Sequence, residues 1–204
     1  ANSNTAVGTN ALFTNTTGAT NTALGNGAMF ANTTGCGIVA VGKNALDANT
    51  TGENNVGVGF NALSSNTTAS ANVAIGESSQ SATTTGAQNV TVGNSSGIAN
   101  TTGASNVFIG HKAACSNTTG YCNTAFGVLA GDDVTTGALN TLIGTNASPN
   151  LSTGNGNVTI GDIGHVGTRL FNITSENDRF IAGHHNITNA YVKVAWTVTS
   201  DLRD

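Results

Sequence analysis

The chain has 204 residues, of which 27 are glycine, six are Lys or Arg and ten are Asp or Glu, and its formal net charge is −4 at pH 7. Six basic residues cannot form the positive stripe that nucleic-acid binding needs, so we expect no nucleic-acid partner. No run approaches the roughly 20 apolar residues of a membrane helix, and we expect no membrane association. With 38% apolar residues and low net charge, the composition favours ordered repeats over disorder.

An apolar residue followed by glycine recurs every 17 residues and defines ten repeats. The residue three places before each glycine is Val or Thr, both β-branched and typical of strands. The period predicts an all-β fold, a parallel β-roll or β-solenoid of ten 17-residue coils over residues 1–161. The repeat-defining glycines are Gly8, Gly25, Gly42, Gly59, Gly76, Gly93, Gly110, Gly127, Gly144 and Gly161.

Both faces of each predicted strand carry residues suited to burial. The residues one and three places before the glycine share one face, and the residue between them points the other way. That middle residue is small or apolar in most repeats, as at Ala23 and Phe108. Because a thin solenoid buries only one face inside its own coil, the other face is expected to pack against identical chains, which predicts a homo-oligomer.

Two further columns follow the same period. A second glycine, ten residues after the first, is replaced only by Ala69 between residues 18 and 154, and two glycine corners per coil predict a flattened roll. Asparagine stands four residues before the main glycine in nine of ten repeats, with Ile38 as the exception. We predict that these asparagines stack and hydrogen-bond from coil to coil.

The pattern changes after residue 161, and residues 162–204 form a second predicted region. Short apolar stretches at 169–173, 179–182 and 190–198 predict a few β-strands. Alone they are too few for a solid core, so we expect an intertwined C-terminal β segment shared by several chains. Its largest anchors are Phe180, Tyr191 and Trp196.

We expect no enzymatic activity, no catalytic residue, no metal and no cofactor. Asp132-Asp133 is the only acidic pair in the repeats and has no base nearby in the sequence. A histidine metal site is the less favoured alternative to surface or interface histidines. The histidines are His111, His165, His184 and His185.

The cysteines and the Asn-Thr-Thr triplets leave alternatives open. Cys115 and Cys122 are close enough in sequence for a local disulfide, with free half-buried thiols as the alternative, whereas Cys36 lies too many coils away to reach them. The triplets match the N-glycosylation sequon, but the repeat itself explains their recurrence. They begin at Asn15, Asn32, Asn49, Asn66, Asn100 and Asn117.

Repeats such as the one that ends in 72–76, Asn-Val-Ala-Ile-Gly, resemble the heads of trimeric autotransporter adhesins and the fibre proteins of tailed phages and large viruses. Both are trimers built from parallel β-rolls. Residues 186–204 look like the junction into an endosialidase-type intramolecular chaperone, which assembles a trimer and then cleaves itself off within a Ser-Asp-x-Arg motif. Ser200, Asp201 and Arg203 match that motif and are the possible autocleavage site, while the chaperone body is absent from this chain.

These resemblances imply a structural homotrimeric fibre on the tail of a phage or virus particle. Its shaft would present an attachment tip to a host cell-surface glycan or protein receptor and would contact other tail proteins of the virion. The alternative is a trimeric autotransporter-type adhesin head on a bacterial cell surface. A third hypothesis, an ice-binding solenoid, is disfavoured because adjacent threonines such as Thr16 and Thr17 are expected to point to opposite faces.

Overall fold

The structure, a computed structural model, describes residues 3–161 and 174–183. It contains eleven strands of three residues each. They are β1 (Thr5–Val7), β2 (Thr22–Leu24), β3 (Val39–Val41), β4 (Val56–Val58), β5 (Val73–Ile75), β6 (Val90–Val92), β7 (Val107–Ile109), β8 (Thr124–Phe126), β9 (Thr141–Ile143), β10 (Val158–Ile160) and β11 (Phe180–Ala182). We number each coil by the strand with which it begins.

All eleven strands lie in one parallel sheet, in the order in which they occur in the chain. Every residue of β1 to β9 pairs with the residue 17 positions later, as Ala40 does with Gly57. The ten strands from β1 to β10 are therefore separated by nine turns of 17 residues. The predicted all-β parallel solenoid and its period are confirmed.

Hydrogen bonds between coils continue around the corners as well as along the strands. The backbone N–H of Leu12 donates to Ala28 O at 3.0 Å, and that of Thr16 donates to Thr33 O at 3.0 Å. Because both corner and strand groups find partners in the neighbouring coil, each 17-residue coil stacks as one layer.

The interior is narrow and is lined partly by asparagine. The backbone N–H of Asn21 donates to Oδ1 of Asn4 at 2.9 Å, and Nδ2 of Asn21 donates to Gly35 O at 2.8 Å. The same pattern recurs at Asn72 and at Asn106. The predicted asparagine stack is confirmed, and these side chains hold both the adjacent coil and the second glycine corner.

The second column is glycine because there is no room for a side chain at these positions. These glycines are buried, and a Cβ at Gly35 would overlap the carbonyl oxygen of Gly52 in the next coil. They do not adopt the positive φ of the main glycines. The corner they form is therefore tight because backbone approaches backbone between coils.

The sheet continues past residue 161 through β11. Val158 pairs with Phe180, so this last step spans 22 residues instead of 17. The strand predicted within 179–182 is confirmed. The strands predicted at 169–173 and 190–198, with Tyr191 and Trp196, lie outside the described residues, as does the predicted intertwining.

Candidate interaction surface

Each strand has a buried inner residue and two outward residues. From β2 to β10 the middle residue is buried, as in Ala40 and Phe108, both 0% exposed. The first and third residues are half-buried or exposed, with Leu24 at 47% and Ile75 at 40%. One predicted buried face is thus confirmed, whereas the other is open in the single chain. In β2 to β5 the larger apolar side chains point outward and the strand centre is Ala or Gly, whereas Phe108 and Leu142 are large and point inward.

These outward residues, the first and third of β1 to β10, form a largely apolar strip that we call the outer stripe. The third residue is apolar in every strand, whereas the first is Val in six strands and Thr in four, at Thr5, Thr22, Thr124 and Thr141. Because the strands pair in register, the two columns are continuous along the sheet. At about 4.8 Å per strand the ten strands extend over roughly 43 Å, and a three-residue strand is about 10 Å long, so the stripe has an area on the order of 400 Å². Its most exposed apolar members are Val7, Leu24, Val39, Ile75, Phe126, Ile143 and Ile160.

The other exposed apolar and aromatic residues form small clusters or stand alone. Phe13 and Phe30 stack with ring centroids 5.5 Å apart, and the ammonium of Lys43 lies 5.8 Å from the centroid of Phe60. Tyr121 is 52% exposed at another corner. None of these extends over successive coils for the length of the sheet in the described part of the chain, so the outer stripe is the only continuous apolar surface there.

The paired threonines use their two hydroxyls differently. Thr33 Oγ1 donates to Thr50 O at 3.1 Å, and Thr50 Oγ1 donates to Thr67 O at 3.0 Å. The second threonine of each pair, such as Thr34, is exposed and makes no side-chain hydrogen bond with the described residues. One hydroxyl column therefore ties the coils together, and a single column faces solvent.

The sequon asparagines are structural in the described coils. Nδ2 of Asn117 donates to Oδ1 of Asn100 at 3.0 Å and to Gly120 O at 3.2 Å. The side chains at Asn32, Asn49 and Asn66 are buried in the same way. A glycan cannot be attached to these amides while the coil is folded, so the repeat explains the triplets.

The three cysteines are free thiols, and the local disulfide between Cys115 and Cys122 is not formed. The Cys115 thiol donates to Asp132 O at 3.8 Å. Burial raises the pKa of this thiol above its ordinary value, and the nearby Asp132 adds to that effect. Cys122 is exposed, whereas Cys36 is half-buried.

The remaining candidate residues divide between the described and the undescribed parts of the chain. His111 is exposed at a corner, and residues 3–161 and 174–183 contain no group of three His, Cys, Asp or Glu side chains that could hold a metal. Ser200, Asp201 and Arg203 lie outside the described residues. So do His165, His184 and His185.

No protein family, curated protein or solved structure compared with this chain matches it. Within the described ranges, no helix has the length and apolar character needed to cross a membrane.

Proposed function

We propose that this chain is the shaft of a homotrimeric fibre of a phage or virus particle, which spaces and presents a host-attachment tip. The observation that carries the proposal is the outer stripe, a continuous and largely apolar surface along ten strands of the solenoid.

Covering the stripe is energetically favourable. Val and Ile gain about 1.5–3 kcal/mol on full burial, and the outward residues of β3 to β7 start half-buried or exposed. Sixteen of the twenty outward residues are apolar, and roughly 1 kcal/mol for each is comparable with the cost of association. An area on the order of 400 Å² equals that of the largest apolar patches on monomeric proteins, which often mark interaction sites.

A second and third copy of the chain suit this surface. The stripe has a fixed period, one pair of side chains per coil, so parallel copies at the same height bring equal layers together along the full length. Charged residues are absent from the first and third positions of β1 to β10. The number three comes from the resemblance to trimeric fibres and adhesin heads.

A spacer role follows from the continuous hydrogen bonding between coils. Strand, corner and asparagine groups all bond to the next layer, so the shaft resists bending within its length of roughly 48 Å. The corners vary from coil to coil without a charged or aromatic cluster that repeats. We therefore place the receptor contacts, to a host glycan or protein, at a tip and the contacts to other tail proteins at the opposite end of the fibre.

The virion fibre is preferred to the bacterial adhesin because of the Ser200-Asp201-Leu202-Arg203 sequence. That motif resembles the cleavage junction of fibre chaperones, whereas an adhesin head continues into a coiled-coil stalk. The coding sequence downstream of Asp204 discriminates between the two. A chaperone domain supports the fibre on the virion, and heptad repeats support the adhesin on a bacterial surface.

Oligomeric state is tested by analytical ultracentrifugation of the wild type and of Ile75→Asp, which puts a carboxylate into the outer stripe. We expect the wild type at three times the chain mass and a loss of the trimer in the variant. Thr85→Asp, at an exposed corner in the same coil, is the matched control and should stay trimeric. A stable, soluble wild-type monomer would overturn the proposal.

A further inference from the structure

The large side chains that fill the interior come from the corner in the first half of the solenoid and from the strand in the second half. In coils 1 to 4 the large side chain stands four residues after the main glycine, as Met29, Leu46 and Leu63, and the strand centre is Ala or Gly. In coils 7 and 9 the large side chain is at the strand centre, as Phe108 and Leu142, and the corner residue is Ala or Ser.

Close contacts confirm that one column makes room for the other. A Cβ added at Gly57, at a strand centre, would lie 3.1 Å from Cδ1 of Leu46. Next to the second half the glycine is at the corner instead, since a Cβ at Gly97 in coil 6 would lie 2.9 Å from Cδ2 of Phe108 in coil 7. The packing therefore inverts between coil 4 and coil 7.

The inversion takes place across a polar layer. Ser79, Gln80, Thr91 and Ser96 occupy interior positions of coils 5 and 6 and are at most 1% exposed. The hydroxyl oxygens of Ser79 and Thr91 lie 2.7 Å apart, and Thr91 Oγ1 donates to Gln80 Oε1 at 3.3 Å. Ser96 Oγ donates to Phe108 O at 2.9 Å. We call these four residues the polar joint.

The apolar core is divided at this layer. One cluster of buried apolar residues extends from Ala23 to Ala74, and a second extends from Phe108 to Leu151. No buried apolar residue lies between Ala74 and Phe108. The hydrophobic contacts that couple successive coils within each cluster are thus replaced, in coils 5 and 6, by hydroxyl and amide contacts.

A second observation at the same level is a break in the hydrogen-bonded column of sequon asparagines, which we call the ladder. Nδ2 of Asn49 donates to Oδ1 of Asn32, and Asn66 donates to Asn49, but the next position is Thr83. The hydroxyl of Thr83 donates to Asn100 O at 3.0 Å instead. Oδ1 of Asn66 is consequently buried without a hydrogen-bond partner. The ladder also ends at Asn117, but there the next position is the buried apolar Val134, so only the break at Thr83 coincides with a loss of apolar contacts.

We propose that the shaft consists of two cooperative folding units, coils 1 to 4 and coils 7 to 9, which meet at the polar joint and separate there first. In a solenoid each coil contacts only its neighbours, so cooperativity depends on the interface between adjacent coils. Coils 5 and 6 combine the loss of apolar contacts with an interrupted ladder and are the weakest such interface. The inference does not depend on the fibre assignment.

Hydrogen exchange of the full chain, followed by mass spectrometry, tests the proposal. We expect the protection factors of amides in residues 79–97 to be lower by roughly tenfold or more than those in coils 2–4 and 7–8. We also expect the two flanking units to exchange in separate steps. Uniform protection across residues 20–150, with a single cooperative unfolding step, would overturn it.

A repacked variant tests the cause. Ser79→Ala, Gln80→Leu, Thr83→Asn and Thr91→Ala together give coil 5 the interior of coil 3, place a small strand centre next to the new leucine and restore a donor to Asn66. We expect the difference in protection to fall and the two unfolding steps to merge. An unchanged exchange pattern in the folded variant would contradict the role of the joint.

The matched control introduces the same two polar residue types one coil earlier, in coil 4. Ala62→Ser with Leu63→Gln places a similar pair opposite Ala74, which offers no hydroxyl partner. We expect it to lower protection in coils 2–4 and to leave coils 7–8 unchanged. If the control lowers protection equally in both halves, the shaft is one unit and the proposal fails. The wild-type measurement decides the question even if a variant does not fold.

Discussion

Asn49 donates from its side-chain Nδ2 to Oδ1 of Asn32, one coil earlier, over 2.9 Å. It also donates to Gly52 O at 3.1 Å, and its own Oδ1 accepts from Asn66 at 2.7 Å. All of these groups are buried. One amide therefore links three coils and a glycine corner, in a place where water cannot substitute for it.

The first prediction concerns this amide. Asn49→Ala should lower the free energy of unfolding by about 2–4 kcal/mol, because the buried oxygens of Asn32 and Gly52 would then lose their hydrogen-bond donor. Thr51→Ala, two residues away, removes an exposed hydroxyl that bonds to none of the described residues and should change stability by less than about 0.5 kcal/mol. Denaturant titration measures both, and equal effects would contradict the role of the ladder.

The second prediction separates two kinds of glycine. Gly59 has φ +139°, and a Cβ there would overlap the carbonyl of Gly76, so Gly59→Ala should cost about 3 kcal/mol or more or prevent folding. Gly27 has φ +68°, and the same corner position holds Asn44 at φ +55° in the next coil. A Cβ at Gly27 would lie 2.7 Å from Oδ1 of Asn44, the end of a side chain that can rotate, whereas the contact at Gly59 is with backbone. Gly27→Asn should therefore be tolerated within about 0.5 kcal/mol. Thermal unfolding of the two variants compares them, and a tolerated Gly59→Ala would count against the close approach.

The repeat period was sufficient to predict the strands and the asparagine stack, since both depend on one layer repeating itself. It could not predict corners such as Leu46 and Leu63, whose φ values are +54° and +52°. Isolated leucine disfavours that region. Here the N–H of Leu46 donates to Ala62 O at 3.0 Å, so the stack imposes a conformation that local propensity opposes.

The outer stripe was only partly predictable. Alternation identifies two faces of a strand but does not say which of them lies inside. Side-chain volume distinguishes them in β2 to β5, where the coil accepts Ala40 or Gly57 at the strand centre and leaves the larger residues outside. It does not do so in β7 and β9, where Phe108 and Leu142 are at the centre. The polar joint was not predicted, because the 17-residue period does not distinguish an interior corner residue from one that faces solvent.

The third prediction concerns Asp47, whose Oδ1 is buried without a hydrogen-bond partner. Desolvation raises the pKa of its carboxyl above the ordinary value of 3.8. The native state thus binds the proton more tightly than the unfolded state, so the contribution of Asp47 to stability is greatest below the unfolded pKa and is lost as pH rises through the folded pKa.

Asp47→Asn should therefore stabilise the protein at about pH 7, and the gain should disappear toward about pH 3, where the wild-type carboxyl is protonated. The gain is modest because the carboxyl is partly exposed. Glu53→Gln, at an exposed corner, is the control. Melting temperatures of the variants and the wild type at both pH values provide the comparison, and a gain that is larger at acid pH would reverse the assignment.

The fourth prediction concerns the thiols. Cys122 is exposed, whereas Cys115 is half-buried, donates to Asp132 O and has a raised pKa, so less of it is thiolate at neutral pH. With a maleimide reagent at about pH 7, Cys122 should react at least roughly tenfold faster than Cys115. Peptide mass spectrometry over time identifies the modified residue, and Cys122→Ser should remove the fast phase while leaving the Cys115 rate unchanged.

Raising the pH should narrow the difference in rate between the two thiols, because the Cys115 thiol then ionises. A pair that reacts only after reduction would instead show that Cys115 and Cys122 are joined in a disulfide.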